Sequence, residues 1–251
     1  MKAYPLGIQT FEKIINGNLL YIDKTKEIYQ LLKYGNYYFY ARTRRFGKSL
    51  LLSTIKAIYQ GKKELFIVLW IENHWYWSIS NPIFHIVFSS MVYQGLGLER
   101  AIAKELDAVA KRHDLVLSEK DYIRKFKELI VELSKIKGQV ILLIDEYVKP
   151  IIDYLGEEIE QAQINRSILK TFYSIVKDCD PYIEFMMITG VSKFSKVSIF
   201  SELNNLTDIT FHPRYLKLTG ITQEEIEQYF HRELEDFSTQ NNTSIEKLKD
   251  Q

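Results

Sequence analysis

Apolar and polar positions fall in blocks whose spacing switches between a period of two and a period near 3.6, so strands and helices are predicted in alternation. Tyr37-Tyr38-Phe39-Tyr40-Ala41 follows Gly35-Asn36 and is strand-prone throughout. From Ser49 onward Leu51, Leu52, Ile55, Ile58 and Tyr59 recur at helical spacing, and Gly61 supplies a C-terminal cap. Behind Pro82, Ile83 to Phe88 reads as a second strand, with flanks that give no clear pattern. Ser118 and Asp121 mark a helix start, Tyr122, Phe126, Ile130 and Leu133 its apolar face, and Gly138 its end. Gln139 to Ile144 is apolar on both faces, as a central parallel strand must be, and runs straight into Asp145-Glu146. Ile164, Ile168, Phe172, Ile175 and Val176 form one more helical face, stopped by Asp180-Pro181, before a strand from Tyr182 to Thr189. A weaker strand is expected near Tyr215 to Leu218, and helix again from Thr222. The order predicts an α/β fold with a parallel sheet covered by helices on both faces.

The turn after the first strand carries the candidate chemistry. Arg42-Thr43-Arg44-Arg45-Phe46-Gly47-Lys48-Ser49 ends in the G-K-[ST] signature of a phosphate-binding loop. Gly47 lets the backbone approach a phosphate, Lys48 brings a charge to the terminal phosphates, and Ser49 offers a hydroxyl to magnesium. The helix that starts there adds unpaired N–H groups. The leading glycine of G-x-x-x-x-G-K-[ST] falls at position 42, where arginine stands. Asp145-Glu146 at the end of a buried strand supplies the carboxylates that such a site needs, Asp145 for the metal shell and Glu146 as general base. Thr189, ending the next strand, is expected beside the terminal phosphate. The separation between Lys48 and Ile141 leaves room for an intervening strand. Read blandly, the four basic residues between Arg42 and Lys48 are a solvated loop, and Asp145-Glu146 is a helix cap. Lys193 and Lys196 read as surface charges, His85 and His212 as packing or surface residues.

Composition narrows the class. With 46% hydrophobic and 26% charged residues over 251 positions, disordered, collagen-like and disulfide-scaffold chains are excluded. Lys and Arg number 33 against 32 for Asp and Glu, so no global field gathers nucleic acid or anionic membrane. Cys179 stands alone and the five histidines are scattered, which argues against a disulfide or zinc site and for a reducing cytoplasm. The longest apolar run, Leu65 to Ile71, has seven residues, where a membrane-spanning helix needs about 20. Nor does the N-terminus resemble a signal peptide. Residues 221–251 hold three basic and eight acidic residues, a local charge of −5, with Asn241 to Ser244 as a short polar linker.

These strings resemble the bacterial AAA-ATPase-like proteins whose ATPase region often precedes a nuclease-like domain of the PD-(D/E)xK type. The likeness runs from Leu6-Gly7-Ile8-Gln9, Phe11-Glu12 and Tyr21-Ile22-Asp23-Lys24-Thr25 through Arg44 to Leu50 and Leu143 to Tyr147. It continues over Thr189 to Lys196, Leu203-Asn204-Asn205-Leu206 and Leu218-Thr219-Gly220. The resemblance implies a P-loop NTPase fold of the AAA type, and makes Arg-Arg-Phe-Gly-Lys-Ser that family's own phosphate loop. Thr43 stands where proline is usual and Val148 where an aspartate usually follows Asp-Glu-Tyr, which bears on turnover more than on binding. No Asp or Glu has Lys two positions later, so nuclease chemistry is not expected.

The resulting expectation is ATP binding and magnesium-dependent hydrolysis by residues 1–220, with 1–35 as an N-terminal family segment and 221–251 as the start of a helical lid. Arg45, Phe46, Gly47, Lys48, Ser49 and Leu50 bind nucleotide, Ser49 and Asp145 hold magnesium, and Glu146 and Thr189 act on the reaction. Arg214 is a candidate for an arginine completing a neighbour's site in a homo-oligomer; a protein partner is the other option. Two alternatives remain: a nucleotide-binding remnant without hydrolysis, and a nucleic-acid module using Arg42, Arg44 and Arg45.

Overall fold

A computed structural model describes residues 2–156, 158–191, 199–200, 203 and 205–241. The expectations for Ser192 to Lys196, including Lys193 and Lys196, for Asn204 and for Asn242 to Ser244 lie outside the described residues. Five parallel strands form one sheet: β1 (Tyr37–Ala41), β2 (Ile83–Val87), β3 (Val140–Asp145), β4 (Ile183–Gly190) and β5 (Thr207–Asp208), in the order β2-β3-β4-β1-β5. The predicted α/β class holds. The strand standing between β1 and β3 is β4, which follows both in sequence, whereas β2 lies outside β3 as an edge.

Because side chains alternate across a strand, each central strand feeds both faces. Val140, Leu142 and Ile144 of β3 point into one core and Ile141 and Leu143 into the other; Tyr37, Phe39 and Ala41 of β1 part from Tyr38 and Tyr40 in the same way. The first core is closed by α4 (Leu98–Arg112), α5 (Tyr122–Lys137), α6 (Lys149–Ile152) and α7 (Ile159–Asp178). The second is closed by α1 (Phe11–Asn16), α2 (Thr25–Tyr34) and α3 (Lys48–Tyr59), so the N-terminal segment packs on the sheet.

Local chemistry explains the boundaries. Gly61 adopts φ 71°, its N–H bonding the Ile58 carbonyl while Lys62 N–H bonds that of Ala57, a Schellman end to α3. The α5 helix opens at Asp121, whose carboxylate accepts from the N–H groups of Ile123 and Arg124; Ser118 is instead held by Glu128. Two elements depart from the sequence reading. The buried face of α4 carries Leu98, Ile102, Leu106 and Val109 at helical spacing, a pattern on the flank of β2 that the sequence reading does not assign. The strand expected near Tyr215 to Leu218 is a 3-10 turn over Pro213–Tyr215: Tyr215 and Leu218 are both buried at a spacing of three, which suits a helical turn. The true fifth strand, β5, is too short to show a period.

After Thr222, which makes a reciprocal capping box with Glu225, come α8 (Gln223–Tyr229) and α9 (His231–Gln240). They are fastened to the N-terminal segment. Lys24 Nζ lies 2.5 Å from both carboxylate oxygens of Glu225, Asp23 N–H reaches the Tyr229 hydroxyl at 3.4 Å, and Tyr4 bonds Glu233 while stacking on Phe230. The Lys24 and Glu225 side chains are 9% and 18% exposed, so removing one charge strands the other. Glu225→Gln is expected to lower stability by about 2 kcal/mol, read as a shifted midpoint in urea unfolding; an unchanged midpoint would show that the pair contributes nothing net.

Candidate functional site

In a parallel sheet the strands present their C-terminal ends together, and residues that follow them form the crevice where ligands sit. The order β3-β4-β1 brings Asp145, Thr189 and the loop after Ala41 side by side. Arg42 N–H bonds the Gly190 carbonyl at 3.1 Å, which ties the loop's first residue to the end of β4.

The loop turns back into α3 through two residues in the left-handed region, Arg45 at φ 64° and Gly47 at φ 83°. Glycine takes that conformation without steric cost, and arginine does not. Arg42 is not among the non-glycine residues with positive φ, so a glycine is not required at that position. Its guanidinium instead bonds the Thr210 carbonyl and lies over the rings of Tyr40 and Phe211 at 5.1 and 5.4 Å, and Thr210 Oγ1 accepts from Ala41 N–H at 3.1 Å. Arg42 therefore anchors the loop base to the chain behind β5.

Lys48 is only 6% exposed. Its ammonium donates to the carbonyls of Arg42 at 2.8 Å and Thr43 at 2.9 Å, and among the described residues it has no carboxylate partner. Burial holds its pKa below the usual lysine value; the charges of Asp145 and Glu146 act in the opposite direction. Ser49, one residue on, donates to Asp145 Oδ2 at 2.6 Å, and Thr189 Oγ1 donates to Asp145 Oδ1. Asp145 and Thr189 are both buried. Three predicted residues thus form one hydroxyl–carboxylate–hydroxyl cluster, in which the Thr189 hydroxyl is committed to Asp145.

Glu146 follows at φ 56°, a left-handed turn that carries the chain off the strand, and it lines a narrow crevice with Arg44 and Val148. Val148, where a charge was at issue, is buried in the core beneath α6. Arg214 stacks on Tyr34 at 4.9 Å, next to the N-terminal end of β1 and away from the loop.

The sequence reading assigned no role to a cavity of about 570 Å³ beside the loop. Phe46, Leu50, Tyr21, Ile22, Leu218 and Phe230 line it, so the N-terminal segment, the loop and the start of α8 and α9 all contribute. Phe46 rests against Gly220: a Cβ there would meet its ring at 2.9 Å. Tyr40 Oη and Thr219 Oγ1, 2.6 Å apart, hold that stretch to β1. The sequence strings that line it are Arg45 to Leu50, Leu218-Thr219-Gly220 and Tyr21-Ile22-Asp23-Lys24-Thr25, in which Asp23 accepts from Thr25 N–H and Lys24 reaches Glu225.

Among the described residues no three His, Cys, Asp or Glu side chains form a metal-holding group. Ser49 and Asp145 together still fit magnesium, which keeps several waters and takes phosphate oxygens alongside one or two protein ligands.

A family model described as predicted AAA-ATPase matches residues 5–200. The chain belongs to this AAA-ATPase-like family. It is also similar to a protein of Azotobacter chroococcum mcd 1 described as an uncharacterized protein in the vnfD 5′ region, with 40% identity over 236 residues. That match covers 93% of this chain and 46% of the relative, so the chain spans less than half of the relative's length. As an AAA-ATPase-like protein it is of a nucleotide-binding kind, and among the described residues no helix is long and apolar enough to cross a membrane.

Proposed function

We propose that this AAA-ATPase-like chain binds ATP together with magnesium and hydrolyses it. The observation that carries the reading is Lys48: a buried cation whose partners among the described residues are carbonyls of its own loop, at the N-terminus of α3, is suited to an anion. The strand order supports it, since it sets Asp145 one strand away from β4 and two from the loop.

In this reading the loop from Arg45 to Ser49 wraps the phosphates, with Gly47 giving the backbone close approach and Lys48 Nζ leaving its carbonyls for the terminal phosphate oxygens. Ser49 and Asp145 hold magnesium, which when bound neutralises developing phosphate charge. Thr189 is a positioning residue that fixes the Asp145 carboxylate. Glu146 orients a water and accepts its proton. The apolar cavity lined by Tyr21, Ile22, Phe46, Leu50 and Phe230 takes the purine ring, and its size lies within the range of about 300–1,000 Å³ typical of small-ligand sites. Residues 1–220 form the nucleotide-binding unit, and α8 and α9 begin a lid whose position the Lys24–Glu225 pair fixes.

Calorimetric titration with ATP, with and without magnesium, joined to a phosphate-release assay tests the reading. Binding that tightens with magnesium and sustained phosphate release are expected. Absence of ATP binding would overturn it, and binding without release would remove hydrolysis from it.

A further inference from the structure

A second cavity, of about 580 Å³, opens along the free edge of β2, on the side away from β3. Lys56 from α3, Lys62 just beyond it, Arg112 at the end of α4, Lys137 at the end of α5 and His85 from β2 itself all line it. Two of these cations are neutralised: Arg112 pairs with Glu105 at 3.2 Å and Lys62 with Glu12 at 2.9 Å. Lys56 and Lys137 have no acidic partner among the described residues, Lys137 reaching only the Ser80 hydroxyl at 3.3 Å. Burial, followed by the charges of Arg112 and Lys62, pushes the Lys56 pKa below its usual value, the charge of Glu12 acting in the opposite direction.

His85 adds an unmet need. Its Nε2 is buried and has no hydrogen-bond partner among the described residues, where a buried polar nitrogen ordinarily has one. It also lines an adjoining cavity of about 440 Å³, shared with Lys56 and Val87, that runs under Gly7 to Thr10 as far as Ser49 and Asp145. The two cavities thus share a wall, and the second reaches the corner that holds the hydroxyl–carboxylate cluster.

We propose that the cavity beside β2 is a site for a phosphate dianion, free or carried as the phosphomonoester of a small molecule. Two uncompensated cations match the charge of close to −2 that a phosphomonoester carries at neutral pH. A cleft of about 580 Å³ is of the size that takes a small ligand. The proposal stands apart from the reading of the Lys48 loop, since none of its lining cations belongs to that loop.

The test uses the full chain, titrated calorimetrically with ribose 5-phosphate and with inorganic phosphate. Lys48→Ala, which removes the loop's own anion site, is expected still to bind at least one of them, and Lys56→Gln in that background to bind at least ~10-fold more weakly, the loss of one charged hydrogen bond. Equal affinity for the two probes identifies phosphate itself as the ligand; preference for ribose 5-phosphate identifies a phosphomonoester. Lys137→Gln serves as a second variant if Lys56→Gln unfolds by circular dichroism, with the same weakening expected. Binding lost in Lys48→Ala but kept in Lys56→Gln would overturn the proposal by placing the phosphate on the loop. So would failure of both probes, including the case in which only an oligonucleotide binds with a steep salt dependence.

Discussion

Lys48→Ala is expected to weaken ATP binding by roughly 30-fold to several thousand-fold, from the 2–5 kcal/mol that truncating one member of a buried charge pair costs. The same substitution is expected to leave the unfolding midpoint unchanged or slightly raised. The two effects have opposite signs for a physical reason. Without ligand, Lys48 is a desolvated cation whose partners among the described residues are the carbonyls of Arg42 and Thr43, and burial already pushes its pKa down. Removing it relieves that desolvation, and the Thr43 carbonyl, on an exposed residue, is free to turn to water. With ATP present, the loss is a direct contact to phosphate, strengthened by the low local dielectric. Calorimetry for affinity and thermal unfolding for stability read the two separately. Unchanged ATP affinity would sink the assignment of the loop, while lost affinity with a collapsed midpoint would show that Lys48 holds the fold and not the ligand.

How much of this was legible in the sequence differs from element to element. Strand β3 was readable because Val140 to Ile144 must satisfy two cores at once, leaving no polar face, and its end had to be Asp145 because the pattern stops there. The helix after Gly47 was readable from its apolar spacing and from the glycine that ends it. What the sequence could not give was strand order. Ser49 Oγ and Asp145 Oδ2 are 2.6 Å apart although β4, the last long strand in the sequence, stands between β1 and β3, and nothing local to either residue encodes that arrangement. The same holds for Thr189, expected near a phosphate and found bonded to Asp145. Arg42 looked like a defect in a motif; its backbone conformation needs no glycine, and its side chain is an anchor to Thr210, a contact across 168 positions. The apolar cavity is assembled from Tyr21, Phe46 and Phe230, three regions whose proximity is purely tertiary.

Glu146→Gln is expected to lower the rate of ATP hydrolysis by about 10²- to 10⁴-fold, the range that a positioned general base contributes, while ATP affinity changes little. The division of labour between the adjacent acids is what makes the outcome specific. Asp145 ends the strand and accepts hydroxyl donors on both oxygens, from Ser49 and Thr189, which suits a carboxylate held as a fixed ligand. Glu146 is carried off the strand by its positive φ, into a crevice beside Arg44, and among the described residues no side chain donates to its carboxylate. A carboxylate free of such donors can accept a proton, and glutamine of the same shape cannot. Asp145→Asn should behave differently: it weakens the metal shell, so its loss of rate comes with a stronger magnesium requirement, where the Glu146 variant keeps the wild-type magnesium dependence. Single-turnover phosphate release against magnesium concentration separates the two. Equal turnover in wild type and Glu146→Gln would remove Glu146 from the reaction and leave the base to be sought elsewhere.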